Sequence, residues 1–357
     1  MDAPHTPNPA GPESTNPAGT GANAAPDAPS FPIAAAPAKP RRRWLRWLAW
    51  SSLVTVIALL IAGELVARFV LGLGDPPLFK PDKDMRYVMV PDRTYRRLFK
   101  TISYNHHSMR GTPDFPAQKS TPDELRVFCL GDSVINGGPF TDDAVLATKL
   151  LADQLRQSRA GKPALVMNAS AGSWGPIQEL AYVRRFGLFE ADILVMVFNH
   201  EDALDDGKPR AMTAEQPTSS PVLALQEVFF RYMPLAWNWY VMGQRNAEPP
   251  PASAAPVQDA SLQAIRDLVA LARSKNTRVA AVLHASRTEL DSGLKPGLTA
   301  IRGQLRELGV PIVETAPVFR DALRRGDGPY RDDIHPSPQG QLPLLQVLRS
   351  AVDIAKP

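Results

Sequence analysis

Arg126-Val-Phe-Cys-Leu-Gly-Asp-Ser133 is the stretch on which the reading of the fold turns. Apolar, β-prone residues run into Gly131, Asp132 and Ser133, and Val134-Ile135-Asn136-Gly137-Gly138 follows. A short apolar run ending in Gly-Asp reads as a buried strand breaking into a turn. Ser133 then sits at the carboxyl end of a strand, where open α/β sheets keep their ligand crevice. Near the other end of the chain stands Asp332-Asp-Ile-His335-Pro-Ser-Pro-Gln-Gly340. Together the two stretches offer a nucleophile, a base and an orienting carboxylate.

Working outward, strands and helices alternate from Leu125 onward. Strands are expected at Arg126–Leu130, Ala164–Asn168, Asp192–Phe198, Arg278–His284 and Pro311–Glu314. Helical spacing appears over Asp142–Ser158, Pro176–Phe186, Pro221–Met242, Asp259–Ser274, Pro296–Leu308 and Gln339–Ala355. Such alternation predicts a parallel sheet covered on both faces. A Pro-rich loop, Glu248 to Pro256, interrupts the series.

Gly-Asp-Ser after the first strand of the domain, with Asp-x-x-His-Pro before a last helix, resembles the SGNH (GDSL) hydrolase superfamily. The resemblance covers roughly residues 120–357. The order Ser…Asp…His is shared with α/β-hydrolases, but no Gly-x-Ser-x-Gly elbow is present and Asp332 and His335 are only three apart, which argues against that fold. The resemblance implies a flavodoxin-like α/β/α three-layer fold with a parallel sheet. It also implies Ser133 as nucleophile, His335 as base and Asp332 as its orienter, with Asp333 the alternative orienter. No cofactor or metal is implied. Asp132 reads as a structural residue bonding turn amides.

For the oxyanion hole the family uses the serine N–H, a glycine after the second strand and an asparagine after the third. Here the second block is Asn168-Ala-Ser-Ala-Gly-Ser-Trp-Gly-Pro176. Gly172 and Ser173 are its candidates, Ser173 standing at the usual glycine position. The third block departs from Gly-x-Asn-Asp and reads Phe198-Asn199-His200-Glu201-Asp202. His200 takes the asparagine's place, or Asn199 does after a one-residue shift. A neutral imidazole can donate one N–H. Glu201, Asp202, Asp205 and Asp206 read as a solvated acidic loop in preference to a hard-metal site. Trp174 fits either a sugar-stacking or a core aromatic.

The remainder of the chain is organised around a span. The whole chain has 357 residues, 44% hydrophobic and 21% charged, with a formal net charge of +4. The charge is mild and partly concentrated in Arg41-Arg42-Arg43, so nucleic-acid binding has little support. Residues 1–40, rich in Pro and Ala, cannot bury enough apolar surface to offset ordering and are expected to be a disordered arm. Residues 44–73 are expected to form a transmembrane helix: Trp47 to Gly63 carries no charge, and Trp44, Trp47 and Trp50 suit an aromatic belt. A cleaved signal peptide is the competing reading, disfavoured by the long apolar run and poorly placed Ala-x-Ala sites. The arginines on the amino side predict a single-pass inner-membrane protein, amino terminus cytoplasmic and catalytic domain periplasmic. Residues 75–120 are expected to be an extension with one or two short strands, and 121–357 the catalytic domain. His106-His107 makes a poor chelate, because adjacent side chains in an extended segment face opposite ways. Cys129, the one cysteine, reads as a buried inert thiol.

The functional expectation is a membrane-anchored extracytoplasmic serine esterase removing O-acetyl or another small acyl group from a polysaccharide. An acyltransferase to a glycan, a non-catalytic glycan-binding or scaffold protein, and a lipid esterase are the alternatives.

Overall fold

The computed structural model describes residues 43–355 apart from 209, 214–215, 234–236 and 238–256. The expected disordered arm and the Pro-rich loop therefore lie outside the described residues. The chain divides into two compact units at Val54.

The first helix, α1, spans Arg43–Leu65 and buries no residue within the protein. It continues as a wider π-turn over Val66–Val70. Among the described residues it is the one helix long and apolar enough to cross a membrane, Arg43–Val70. The helical stretch thus stops short of the expected Leu73; Leu73 is instead buried against Ala67 and Ala224.

The extension holds four strands, not one or two. β1 (Phe79–Asp82) pairs antiparallel with β2 (Arg86–Met89), and β3 (Arg93–Arg97) with β4 (Lys100–Tyr104). The β3–β4 turn places Leu98 at φ 48° and Phe99 at φ 60°. That left-handed pair normally calls for Asn-Gly, so the sequence carried no turn signal there.

The α/β unit then begins. β5 (Leu125–Gly131) leads into α2 (Ser133–Asn136), α3 (Ala147–Ser158), β6 (Ala164–Ser170), α4 (Pro176–Phe186) and β7 (Ile193–Phe198). After α5 (Ala224–Glu227) come α6 (Asp259–Ser274), β8 (Arg278–Leu283), α7 (Arg287–Ser292), α8 (Pro296–Glu307), β9 (Ile312–Glu314), α9 (Ala316–Arg324) and α10 (Gln341–Ile354). Two expectations shift. The helix expected from Asp142 starts only at Ala147, because Asp142 and Asp143 are turned to the β4 backbone, accepting from the amides of Thr101 (2.7 Å) and Ser103 (2.9 Å). The helix expected from Pro221 is one α-turn followed by a π-turn, Val228–Tyr232, and the chain beyond it is largely outside the described residues.

The five strands form one parallel sheet in the order β6-β5-β7-β8-β9. Counted from β5 this is 2-1-3-4-5, the flavodoxin-like order. Alternate residues of β5 feed the two faces: Phe128 and Leu130 pack with α4, α6 and α8, whereas Val127 and Cys129 pack with α3 and α10. A strand buried on both faces must be apolar throughout, which is why it reads as a continuous run. Burial also pushes the Cys129 thiol up to about 12, so it stays a thiol.

The extension is built onto this unit. Met85, Tyr87, Val88 and Met109 join the core on the α4 side. The fully buried Arg110 donates to the Thr141 carbonyl (2.7 Å) and pairs with Asp143.

Candidate active site

Strand order fixes where chemistry can occur. β5 and β7 are the neighbours at which the winding reverses, and ligands of such sheets bind outside the carboxyl ends at that point. Ser133 follows β5 and Asn199 follows β7.

Asp132 is the N-cap of α2 and accepts from the Val134 amide (2.9 Å). This turns Ser133 into the first helical residue, whose N–H has no intrahelical acceptor. The half-buried Ser133 Oγ lies 2.9 Å from His335 Nε2. On the other side of the ring, His335 Nδ1 lies 2.8 Å from Asp332 Oδ2 and 2.9 Å from Oδ1. Asp332 Oδ1 also accepts from the amides of His335 (2.8 Å) and Ile334 (3.0 Å). Partial burial opposes its charge, but the His335 ring and these amides hold the carboxyl well below the usual range. It therefore remains an acceptor, which fixes the proton on Nδ1 and leaves Nε2 free to accept from Ser133. Asp333, the alternative orienter, accepts from Thr288 N (2.9 Å) and Oγ1 (3.1 Å) instead.

The histidine loop is held from beneath. Fully buried His284, directly after β8, bonds the Ile334 carbonyl through Nε2 (2.7 Å) and packs on Phe319 and Tyr330. Tyr330 donates to the Ala285 carbonyl (2.7 Å). A Cβ on Gly340 would come within 2.0 Å of the Pro329 carbonyl oxygen, so the loop can close only with glycine there. Sequence reading missed His284. Its position at the carboxyl end of a strand was the available signal.

The second block presents a braced peptide, Gly172–Ser173. Tyr87 Oη donates to the Gly172 carbonyl, and Arg86 to the Ser173 carbonyl (3.1 Å). In a trans peptide N–H and C=O point opposite ways. Anchoring the Gly172 carbonyl on Tyr87 therefore turns the Ser173 N–H away from it. Ser173 is exposed and adopts φ 54°, a left-handed value a glycine would take without cost. Arg86 and Tyr87 were also missed, since nothing in a short strand of the extension marks them as supports of this loop.

The third block is differently occupied. Asn199 Nδ2 donates to Asp132 Oδ2 (2.6 Å), and its amide N–H donates to Asp202 Oδ2 (2.7 Å). Asn199 thereby bridges two buried carboxylates. His200, 5% exposed, has Nε2 3.1 Å from Lys295 Nζ and Nδ1 3.5 Å from Glu289 Oε2. Since an ammonium only donates, Nε2 is the acceptor and Nδ1 carries the proton toward Glu289. Burial opposes ionisation of Glu289, yet His200 and the amides of Ser286 and Lys295 bring its carboxyl down to about 2.

The acidic loop is solvated only in part, with Glu201 exposed and Asp206 half-buried. Asp202 and Asp205 are buried; Asp205 pairs with Arg86, and Glu179 of α4 is fully buried nearby. Burial, together with the neighbouring carboxylates Asp132 and Asp205, raises Glu179 well above the ordinary range. Burial, with Asp132 and Glu179, does the same to Asp202. Burial first, and then Glu201, lifts Asp132 to about 6. Among the described residues no group of His, Cys, Asp and Glu is arranged to hold a metal ion. Trp174 is a core residue, 3% exposed, donating to the Tyr87 carbonyl (3.0 Å). His106 faces Asp92 and His107 packs among Phe115, Phe186 and Phe189.

A model of the GDSL-like lipase/acylhydrolase family matches residues 129–342. No curated protein matches the chain. Among solved structures, a two-domain esterase active on acetylated mannans is similar over 65% of this chain, at 12% identity and a TM-score of 0.43. The chain spans about half (50%) of that protein's length. A member of the lipolytic G-D-S-L family from Veillonella parvula shows 10% identity over 64% of this chain and 98% of its own, with a TM-score of 0.39. The acetylxylan esterase Axe2 from Geobacillus stearothermophilus shows 12% identity over 64% and 94%, with a TM-score of 0.41.

Proposed function

The chain belongs to the GDSL-like lipase/acylhydrolase family, and from that premise we propose a membrane-anchored serine esterase that removes O-acetyl or another small acyl group from a polysaccharide outside the cytoplasm. The observation that carries the reading is the unbroken line Asp332–His335–Ser133, with contacts of 2.8 and 2.9 Å.

In this mechanism His335 Nε2 takes the Ser133 proton as Oγ attacks the acyl carbonyl carbon. Asp332 stabilises the imidazolium that forms. Negative charge collects on the carbonyl oxygen, and the N–H groups of Ser133 and Ser173 are the donors assigned to it. Collapse expels the sugar oxygen, which His335 protonates. Water then repeats the sequence on the acyl-serine, releasing the carboxylic acid and restoring Ser133.

The rim of the site supports a hydrated substrate. Arg331 stands 4.7 Å over the Phe140 ring and 3.3 Å from Asp332 Oδ2, and Phe140 is 44% exposed. A guanidinium beside the Asp332 carboxylate opposes burial of a long alkyl chain, whereas an aromatic face with polar neighbours suits a sugar ring. The anchor is assigned to the exposed helix α1, Arg43–Leu65, with arginines 41–43 on the cytoplasmic side.

Acetate release from O-acetylated xylan and mannan by the full chain in detergent tests this reading. Release is expected, and Ser133→Ala abolishes it. Hydrolysis confined to long-chain acyl esters would overturn the glycan assignment.

A further inference from the structure

The anchor helix does not end in a free linker. Glu64 Oε1 and Oε2 accept from the amides of Ala224 and Leu225, each at 2.9 Å. Arg68 pairs with Glu64 (2.8 Å) and donates to the Val222 carbonyl (2.7 Å). Further on, the Gly74 amide donates to Glu227 (2.9 Å), which also pairs with buried Arg97 of β3. The Leu98 amide donates to the Leu71 carbonyl (2.7 Å). Ala67, Leu73 and Ala224 close a small core among Leu71, Leu98, Leu225, Val228 and Tyr232. Three separate segments (the end of the anchor, the β3–β4 turn and residues 222–233) are thereby fused into one platform.

The platform exposes large apolar side chains on each segment. Phe69 is 76% exposed, Phe99 83%, and Val222 and Phe230 82% each. Isolated exposed apolar residues are ordinary, but exposed aromatics on each of three segments joined by one core mark an interaction surface. Phe99 sits at φ 60°, a strained value for a bulky residue, at the tip of its turn. Cations accompany them. Arg68 and Arg96 line an open cleft of about 380 Å³ with Gly72, Leu73, Asp75 and Thr94. Aromatic rings beside arginines are the composition of the headgroup region of a bilayer.

We infer that this platform is seated in the lipid surface, with Phe69, Phe99 and Phe230 at acyl-headgroup depth and Arg68 and Arg96 among lipid phosphates. The inference rests on the anchor reading and deepens it. If α1 spans the bilayer, a platform hydrogen-bonded to Glu64 and Arg68 at its end cannot leave the lipid surface. The esterase would then be held at one tilt and height instead of swinging on a tether.

Depth-dependent fluorescence tests it. Cys129 is buried, so single cysteines elsewhere can be labelled with an environment-sensitive dye in the full chain reconstituted into phosphatidylglycerol-containing vesicles. The sites are Phe99→Cys, Phe230→Cys, Leu59→Cys within the anchor, and Arg306→Cys on α8 as an exposed reference. All four side chains are exposed, and a cooperative thermal transition checks folding. The expected result is blue-shifted emission at 99 and 230, lost when lipids carry a spin label near the headgroup. Leu59 is expected to respond to deep spin labels and position 306 to neither. Deep quenching at Leu59 with 99 and 230 behaving like 306 would overturn the platform while leaving the anchor in place. No quenching at Leu59 would overturn the anchor and the platform with it.

Discussion

Two histidines stand in loops at the carboxyl edge of the same sheet, each beside a carboxylate, and they have opposite outlets. His335 holds Asp332 on Nδ1 and turns Nε2 to Ser133 at 2.9 Å. His200 has Glu289 near Nδ1 and turns Nε2 to Lys295 at 3.1 Å. The first ring can accept a proton from a hydroxyl. The second already accepts from an ammonium and is enclosed. Residue type and a carboxylate neighbour are therefore not sufficient to make a base. The partner on the second nitrogen decides it.

The largest effect falls on the His335 loop. Ser133→Ala or His335→Ala is expected to lower kcat/KM by ~10⁴-fold or more, as when members of a triad acting as a unit are removed. Asp332→Asn, which alters the tautomer while keeping the shape, is expected to cost ~10³–10⁴-fold. Steady-state ester hydrolysis reads both. Asn199→Ala comes next and is read in stability. It leaves Asp132 without its 2.6 Å donor, and a buried unsatisfied acceptor costs about 1–3 kcal/mol. A lowered thermal midpoint with an unchanged unfolding slope is the expected observation.

Two of the buried titrating groups, Asp132 and His284, act with opposite sign. Folding raises Asp132 from 3.8 to about 6, so its stabilising contribution is full below pH 3.8, declines through the interval and is lost above about 6. Burial pulls His284 down from 6.5 to about 4, so stability rises with pH through that window as the unfolded histidine surrenders its extra proton. Asp132→Asn should therefore steepen the rise of stability between pH 4 and 6, and His284→Gln should flatten it. Denaturation at a series of pH values distinguishes them. The smallest effect is expected of His200→Asn, under about tenfold in kcat/KM and within the ordinary range for a substitution that removes a supporting contact. A loss as large as that of His335→Ala would erase the contrast between the two rings.

Most of the sheet was legible because each buried parallel strand is a continuous apolar run. Arg126 to Leu130 announced β5, and Gly-Asp-Ser announced the turn after it. The contacts among Ser133, His335 and Asp332 were legible although Ser133 and His335 are 202 residues apart, because each stands in a short segment with its own recognisable pattern. The third block was not, because the direction of the Asn199 amide is set by Asp132, 67 residues away in sequence. The acidic residues after β7 misled for a related reason. Charge along a chain reads as solvent exposure, whereas Asp205 is covered by Arg86 from the extension. Helices α7 and α9 were passed over as too short for a periodic pattern. The β3–β4 turn was passed over because Leu98 and Phe99 stand where turn residues are expected.

The most direct test of the central claim is covalent. A fluorophosphonate reacts only with an activated serine, so the full-length protein in detergent can be labelled and the adduct located by mass spectrometry. The account predicts one adduct on Ser133, absent in Ser133→Ala and lost in His335→Ala. A folded protein that takes no adduct, or one whose Ser133 is labelled equally well without His335, would contradict it.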